Sequence, residues 1–312
     1  MNKKKLLHIS LGSHNTEMWR SFERHFIATH YDWTLKQGHH HSINADVIQL
    51  FNQIKPDVVF MQLQAPDVIS IETASYLSQN SIVINWTGDV RHPIPNWYTE
   101  LGKHIDATLF SNMNDVEVFN KMGINANFLQ VGCDENIFTP TGNTKQNYPP
   151  IIFLGSNYSD LFPLSQFRKD MVQTLKAKYG YNFEAYGNGW LKVIGTEHFL
   201  NSEQEAEAYR SCKIAINLSH FDYGRYSSDR MMRIMCSGAF CLSHHFKDID
   251  KDYKIGKHLD TWKTINELCD KIDHYLENEK KREKIKLAGC EYMRNKYTWN
   301  HFNIKLKKII GI

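Results

Sequence analysis

Apolar positions fall into short continuous runs, separated by longer stretches in which they recur every three to four residues. The runs Leu6-Leu7-His8-Ile9, Asp57 to Leu63, Ser81 to Asn85, Ala107 to Phe110 and Phe128 to Val131 read as buried parallel strands. Helical periodicity fills the gaps over Thr16 to Ala28, Ala45 to Ile54 and Asp115 to Met122, the last closed by Gly123 as a C-cap. Strand, helix, strand in that order predicts a doubly wound sheet. From Cys133 to Pro150 the pattern lapses, and Thr139-Pro140-Thr141-Gly142-Asn143 with Tyr148-Pro149-Pro150 has the composition of an exposed connector. A second series follows, with strands at Ile151 to Leu154, Phe183 to Tyr186, Ala215 to Leu218 and Ala239 to Ser243. Its helical stretches run over Pro163 to Lys178, Glu203 to Cys212 and Ser228 to Cys236. The pattern predicts two Rossmann-like α/β halves in tandem.

Composition supports two globular domains: 312 residues, 42% hydrophobic and 23% charged. No apolar run reaches about 18 residues, and Lys3, Lys4 and Lys5 precede only a short apolar stretch, so neither a signal peptide nor an integral membrane segment is expected. Six cysteines lie scattered without zinc or disulfide spacing, which fits a reducing cytoplasm. The net charge of +3 is unevenly shared: residues 1–145 hold 11 basic and 14 acidic side chains, the remainder 26 and 20. Phosphate is therefore to be sought in the second half. Lys280 to Ile312, with 10 basic and 2 acidic residues, reads as a solvated helix face. His39-His40-His41 reads as a loop rather than a metal site.

In open α/β sheets, ligands gather beyond the carboxyl ends of the strands. The first such loop holds Gly12 and His14 but lacks G-x-G-x-x-G. Another, Asn85-Trp86-Thr87-Gly88-Asp89-Val90-Arg91-His92-Pro93, packs a carboxylate, a guanidinium and an imidazole into a few residues. It reads either as a functional loop or as a turn in which Asp89 pairs with Arg91. In the second half, Gly155 and Ser156 follow a strand and Arg168 lies near the start of the next helix, as a phosphate site would require. Tyr186-Gly187-Asn188-Gly189-Trp190 marks a tight turn with room for a base or ribose under Trp190. Asn217-Leu218-Ser219-His220 ends a further strand and leads through Tyr226 to a helix capped by Ser228 or Asp229. Arg225 and Arg230 flank that helix's N-terminus, the best phosphate site by sequence. Arg230, Arg233 and Ser237 then share one helix face.

These blocks resemble those of CgeB-like and GT4-like glycosyltransferases. The similarity rests on Trp86-Thr87-Gly88-Asp89-Val90-Arg91, Phe153-Leu154-Gly155-Ser156, Tyr186-Gly187-Asn188-Gly189-Trp190, the Asn217 to Phe240 block and Tyr297-Thr298-Trp299-Asn300-His301-Phe302. It implies the GT-B fold, in which two Rossmann-like domains face each other across a cleft. The expected domains are 1–140 on the acceptor side, 150–295 on the nucleotide-sugar side, and a terminal helix, 296–312, that crosses back to the first domain. The implied donor is a nucleoside diphosphate sugar, with a UDP-sugar favoured, and no further cofactor. Gly155, Ser156, Arg168, Asn188, Asn217, Tyr226, Arg230, Arg233 and Ser237 form the donor-binding set, and Gly12, Arg91 and His92 the acceptor side. Asp89 or His14 would act as base if the anomeric centre inverts. With no D-x-D motif, the arginines are expected to stabilise the leaving diphosphate without a metal. The acceptor stays open among a glycan, a small molecule and DNA.

One position departs from the pattern. Such enzymes commonly have R-x-x-E-x-x-x-x-G, whose glutamate holds the donor ribose, and Arg233 occupies that place here. A guanidinium only donates hydrogen bonds and cannot accept two ribose hydroxyls. Nucleotide-sugar epimerisation, or nucleotide binding without catalysis, are the alternative readings.

Overall fold

The computed structural model describes residues 3–12, 16–36 and 38–312. The chain divides into two compact units, Met1–Gln130 with Trp299–Ile312, and Val131–Thr298.

The first unit holds the strands β1 (Lys5–Ser10), β2 (Ile27–Asp32), β3 (Val58–Met61), β4 (Ile82–Thr87), β5 (Ala107–Phe110) and β6 (Ala126–Phe128). They form a sheet in the order β2-β1-β3-β4-β5-β6, and every pairing is parallel. Helices α1 (Glu17–His25), α2 (His40–Ile54), α3 (Ile71–Ser78), α4 (Asn96–Gly102) and α5 (Met113–Lys121) connect them. The central strands β1, β3 and β4 are buried almost throughout, which is why their sequences are continuous apolar runs rather than alternating ones.

The second unit holds β7 (Ile151–Leu154), β8 (Phe183–Tyr186), β9 (Ile214–Asn217), β10 (Cys241–His244) and β11 (Asp260–Trp262), in the order β11-β10-β9-β7-β8, again parallel. Its helices are α6 (Ser165–Tyr179), α7 (Leu191–Ile194), α8 (Ser202–Ser211), α9 (Asp229–Cys236), α10 (Ile265–Glu277) and α11 (Glu279–Arg294). Phe153, Met171, Leu175, Ile216, Phe240 and Trp262 lie in one core between sheet and helices.

The last helix, α12 (Trp299–Ile310), belongs to the first unit. It packs on α1, where Asn303 Nδ2 donates to Ser21 Oγ at 2.7 Å and Lys307 Nζ donates to the His25 carbonyl at 3.0 Å. Phe302 and Leu306 are buried, and the Phe302 ring meets Trp86 at 5.1 Å and Phe60 at 6.1 Å. Burial of each such side chain contributes about 1.5–3 kcal/mol, enough to anchor one helix.

Several details differ from the sequence expectations. Ile27–Asp32 is an edge strand, not the end of a helix: its side chains are only partly covered, so no apolar run marks it. The three-residue strand β11 and the short helices α3 and α4 likewise carry too little periodicity to be read. His40 and His41 open α2 and His39 stands at its N-cap position, so the histidine run is helical rather than a loop. The change of unit falls at Gln130/Val131, ahead of the expected connector, because Val131, Cys133, Phe138 and Tyr148 are buried.

Candidate functional site

The sheet of the second unit reverses its direction of growth at β7, since the chain places β8 on one side of it and β9 on the other. At such a switch point the loops after two neighbouring strands diverge and leave a crevice. Gly155 follows β7, and Leu218, Ser219 and His220 follow β9.

Two arginines converge there. Arg230, in the first turn of α9, ties the two strand ends together: Nε donates to the Leu154 carbonyl, and Nη1 donates to the Leu218 carbonyl at 3.0 Å and to Asn217 Oδ1 at 3.3 Å. Its remaining nitrogen, Nη2, would stand 2.7 Å from a Cβ built on Gly155. Arg168, on the first turn of α6, is 1% exposed, and its Nη2 would lie 1.9 Å from the same Cβ. Only a glycine leaves this space for the two guanidiniums.

Arg168 has one hydrogen bond, from Nη1 to His220 Nε2 at 2.6 Å; its Nε and Nη2 are buried without a partner. Burial, with the charge of Arg230 adding, holds Arg168 well below the ordinary guanidinium value. Among the described residues no carboxylate pairs with either guanidinium. A buried cation with orphaned donors is costly in a folded chain, and an anion placed against it would relieve that cost.

The surrounding loops are fixed from the backbone. The Gly155 carbonyl accepts from Trp190 Nε1 at 2.8 Å, and Asn157 N donates to the Asn188 carbonyl at 2.7 Å. Ser156 Oγ accepts from Asn188 N at 3.2 Å, which leaves the Asn188 side chain exposed at the rim. Gly187 has a φ of 128°, and a side chain there would strike the Gly155 and Ser156 backbone at 2.8 Å. Trp190 is fully buried and supports this turn from beneath, so it offers no face to a base or ribose. Asn217 is also buried; its Oδ1 accepts from Ser228 Oγ at 3.1 Å as well as from Arg230, and its Nδ2 donates to Ser243 Oγ at 3.0 Å. Tyr226 and Tyr158 lie near enough to Arg168 to favour its charge.

Other residues of the expected donor set are placed elsewhere. Arg233 is held by Glu205 at 2.9 Å and Asp229 at 2.7 Å and covers the Phe138 ring, so its charge is met by two carboxylates instead of a ligand. Ser237, at the C-cap of α9, is roughly 10 Å along the helix from Arg230 and buried. Arg225 makes a bidentate pair with Asp252, at 2.8 and 2.7 Å, and does not flank the α9 N-terminus as an open cation. That N-terminus already carries a carboxylate, since Asp229 Oδ1 accepts from Arg230 N at 2.8 Å. The unmatched donors are therefore at the guanidinium pair, while the helix end is already met by Asp229.

Sequence pattern gives His220 no role beyond following β9. Burial, with Arg168 and Arg230 adding, pushes its imidazole down to about 3, so it is neutral. Its ring meets Phe162 at 4.8 Å and Tyr158 at 5.2 Å.

In the first unit, Asp89 lies exposed on the loop after β4, and its backbone N–H donates to Thr87 Oγ1 at 3.1 Å. Arg91 does not pair with Asp89. Its Nη2 donates to Gln64 Oε1 and to Thr87 Oγ1, its guanidinium lies over the Tyr98 ring, and its backbone N–H donates to the buried Asp115 at 3.2 Å. Burial raises the Asp115 carboxyl. Arg91 therefore organises this loop, while His92 is exposed on it. Gly12, with a φ of 86°, donates its N–H to Asp32 at 3.3 Å. His14 lies outside the described residues. Among the described residues no three His, Cys, Asp or Glu side chains stand together as a metal site, and no helix is long and apolar enough to cross a membrane.

Residues 168–307 match the family model described as Glycosyl transferase-like, a stretch that begins at Arg168 and includes α9. No curated protein matches the chain. Among solved structures the chain is similar to a glycosyltransferase from Rickettsia africae ESF-5, with a TM-score of 0.69 and 13% identity over 99% of each chain. It is similar also to Anabaena Alr3699/HepE in complex with UDP and glucose, with a TM-score of 0.68 and 10% identity over 99% of each chain. A third is sucrose-phosphate synthase from Thermosynechococcus elongatus, with a TM-score of 0.67 and 9% identity over 99% of this chain and 98% of that one. The fold is thus the two-sheet parallel α/β architecture of GT-B glycosyltransferases.

Proposed function

We propose that the protein transfers a glycosyl group from a nucleoside diphosphate sugar, with a uridine diphosphate sugar preferred, and that Arg168, Arg230 and Gly155 hold the diphosphate. The observation that carries this reading is the pair of guanidiniums at the switch point of the second unit, with buried donors unmatched by any carboxylate among the described residues. The family model over residues 168–307 and the complex of HepE with UDP and glucose support the same class of ligand.

The chemistry follows from the charges. As the acceptor oxygen attacks the anomeric carbon, the bond from that carbon to the β-phosphate oxygen breaks and negative charge collects on the departing diphosphate. Two guanidiniums already in place would stabilise that charge without reorganisation, which is the largest contribution a site of this kind makes. No metal enters this reading. Ser156, Asn188 and Tyr226 would contact the rest of the donor. Asn217 would act by positioning Arg230. Asp89, exposed on its loop, would take the acceptor proton in an inverting transfer, with Gly12 and His92 on the acceptor side.

A thermal-shift screen with UDP-, GDP-, ADP-, CMP- and dTDP-sugars tests the reading. A ligand at 100 times its dissociation constant stabilises by about 2.7 kcal/mol. A response led by the UDP-sugars is expected; no response to any of them would remove the proposal. Product analysis then separates transfer, which releases nucleoside diphosphate, from epimerisation, which does not.

A further inference from the structure

The Arg168 to His220 contact restricts the state of the imidazole. A guanidinium carries five N–H donors and no acceptor, so a 2.6 Å contact from Nη1 makes Nε2 the acceptor. The ring proton must then be on Nδ1, which is buried without a hydrogen-bond partner. Across the five-membered ring the two nitrogens face in nearly opposite directions, so this N–H points away from the guanidinium, and only Nε2 acts on Arg168. Arg168 Nε and Nη2 are orphaned in the same way. The unmatched donors of Arg168 thus stand beside Gly155, with Nη1 tied to His220. Phe162 and Tyr158 pack against the imidazole and hold its plane.

We infer that His220 is a positioning residue of the diphosphate seat, whose Nε2 accepts from Nη1 and so aims the unmatched Nε and Nη2 of Arg168 at a phosphate. The inference rests on reading the guanidinium pair as a diphosphate site.

Substitutions can test this role, because glutamine places its amide oxygen near the position of Nε2, whereas asparagine and alanine place no acceptor there. UDP and inorganic pyrophosphate are titrated calorimetrically into the full chain and its His220→Gln, His220→Asn and His220→Ala variants, with ligand-free melting measured alongside. We expect His220→Gln to bind both ligands within about twofold of the wild-type chain and His220→Asn and His220→Ala each to weaken both by roughly tenfold, with ligand-free melting little changed. Wild-type affinity in all three variants overturns the inference and leaves the diphosphate reading standing. An equal loss in all three that tracks a fall in ligand-free melting also overturns it, since the role is then structural. If the wild-type chain binds neither ligand, the diphosphate reading fails and the inference with it.

Discussion

Arg168 and Arg230 approach the same aromatic ring, their guanidinium carbons 4.7 and 5.2 Å from the centroid of Phe153. Each gains a cation–π contact, yet two like charges share one patch of the second unit with no carboxylate ion-paired to either guanidinium among the described residues. Electrostatic cost is thereby concentrated at the point where an anion would relieve it.

Removing one of these charges should therefore help the empty protein. Arg168→Met is expected to raise ligand-free stability by about 1–3 kcal/mol, the cost of a buried polar group without partners. It should also abolish stabilisation by UDP. Urea unfolding with and without UDP measures both effects; a variant that is less stable yet still responds to UDP contradicts the anion-seat reading.

Two glycines of the site should respond differently to alanine. At Gly155 the new methyl meets the ends of two arginine side chains, whereas at Gly187 it meets backbone, at a φ of 128°. Gly155→Ala should lower UDP affinity at least tenfold with a stability change below about 1 kcal/mol, because the guanidiniums rather than the loops give way. Gly187→Ala should cost about 1–3 kcal/mol of stability. Calorimetric titration and thermal melting of both variants read the contrast.

Installing the glutamate that similar enzymes carry should not restore a ribose contact. Arg233→Glu would put a third carboxylate beside Glu205 and Asp229 and remove both ion pairs. With the Arg233 side chain 37% exposed, a loss of about 1 kcal/mol is expected, and UDP affinity should not improve. Adding Glu205→Arg should return most of the loss. A tenfold gain in UDP affinity on Arg233→Glu alone would show instead that a ribose seat is present.

Acid should destabilise the first unit through His8. Burial, the largest effect on this residue, lowers its imidazole from 6.5 to about 3. Between those values the unfolded chain takes up a proton that the folded chain refuses. Stability from His8 is thus complete above pH 6.5 and falls at about 1.4 kcal/mol per pH unit as pH drops, a loss of about 2 kcal/mol by pH 5. His8→Gln, which can still bond Gln62, should flatten part of that slope in urea unfolding at pH 7, 6 and 5. An identical slope would assign the acid sensitivity to other groups.

The parts of the fold legible in the sequence are those set by burial. β7 coincides with its apolar run because it is buried throughout, whereas β2, partly exposed at the sheet edge, offers only Ile27-Ala28-Thr29-His30-Tyr31-Asp32 to read. In the site, Gly155, Arg168 and Arg230 follow strand ends or open helices, and motif spacing exposes them. The function of His220 depends on a contact with a side chain 52 positions away, and the neutralisation of Arg233 on Glu205, 28 positions away. Local pattern carries no trace of such pairings. Trp190 shows the reverse error, since a tryptophan after two glycines suggests a ligand platform but the indole is core.

The return of α12 to the first unit bears on how the protein is made. Residues 131–298 are emerging from the ribosome before Phe302 and Leu306 exist to close the core around Phe22, Phe60 and Trp86. The second unit can finish folding while the first waits unsealed, with part of its aromatic core uncovered for the time needed to synthesise more than half the chain. The half made first is the half completed last.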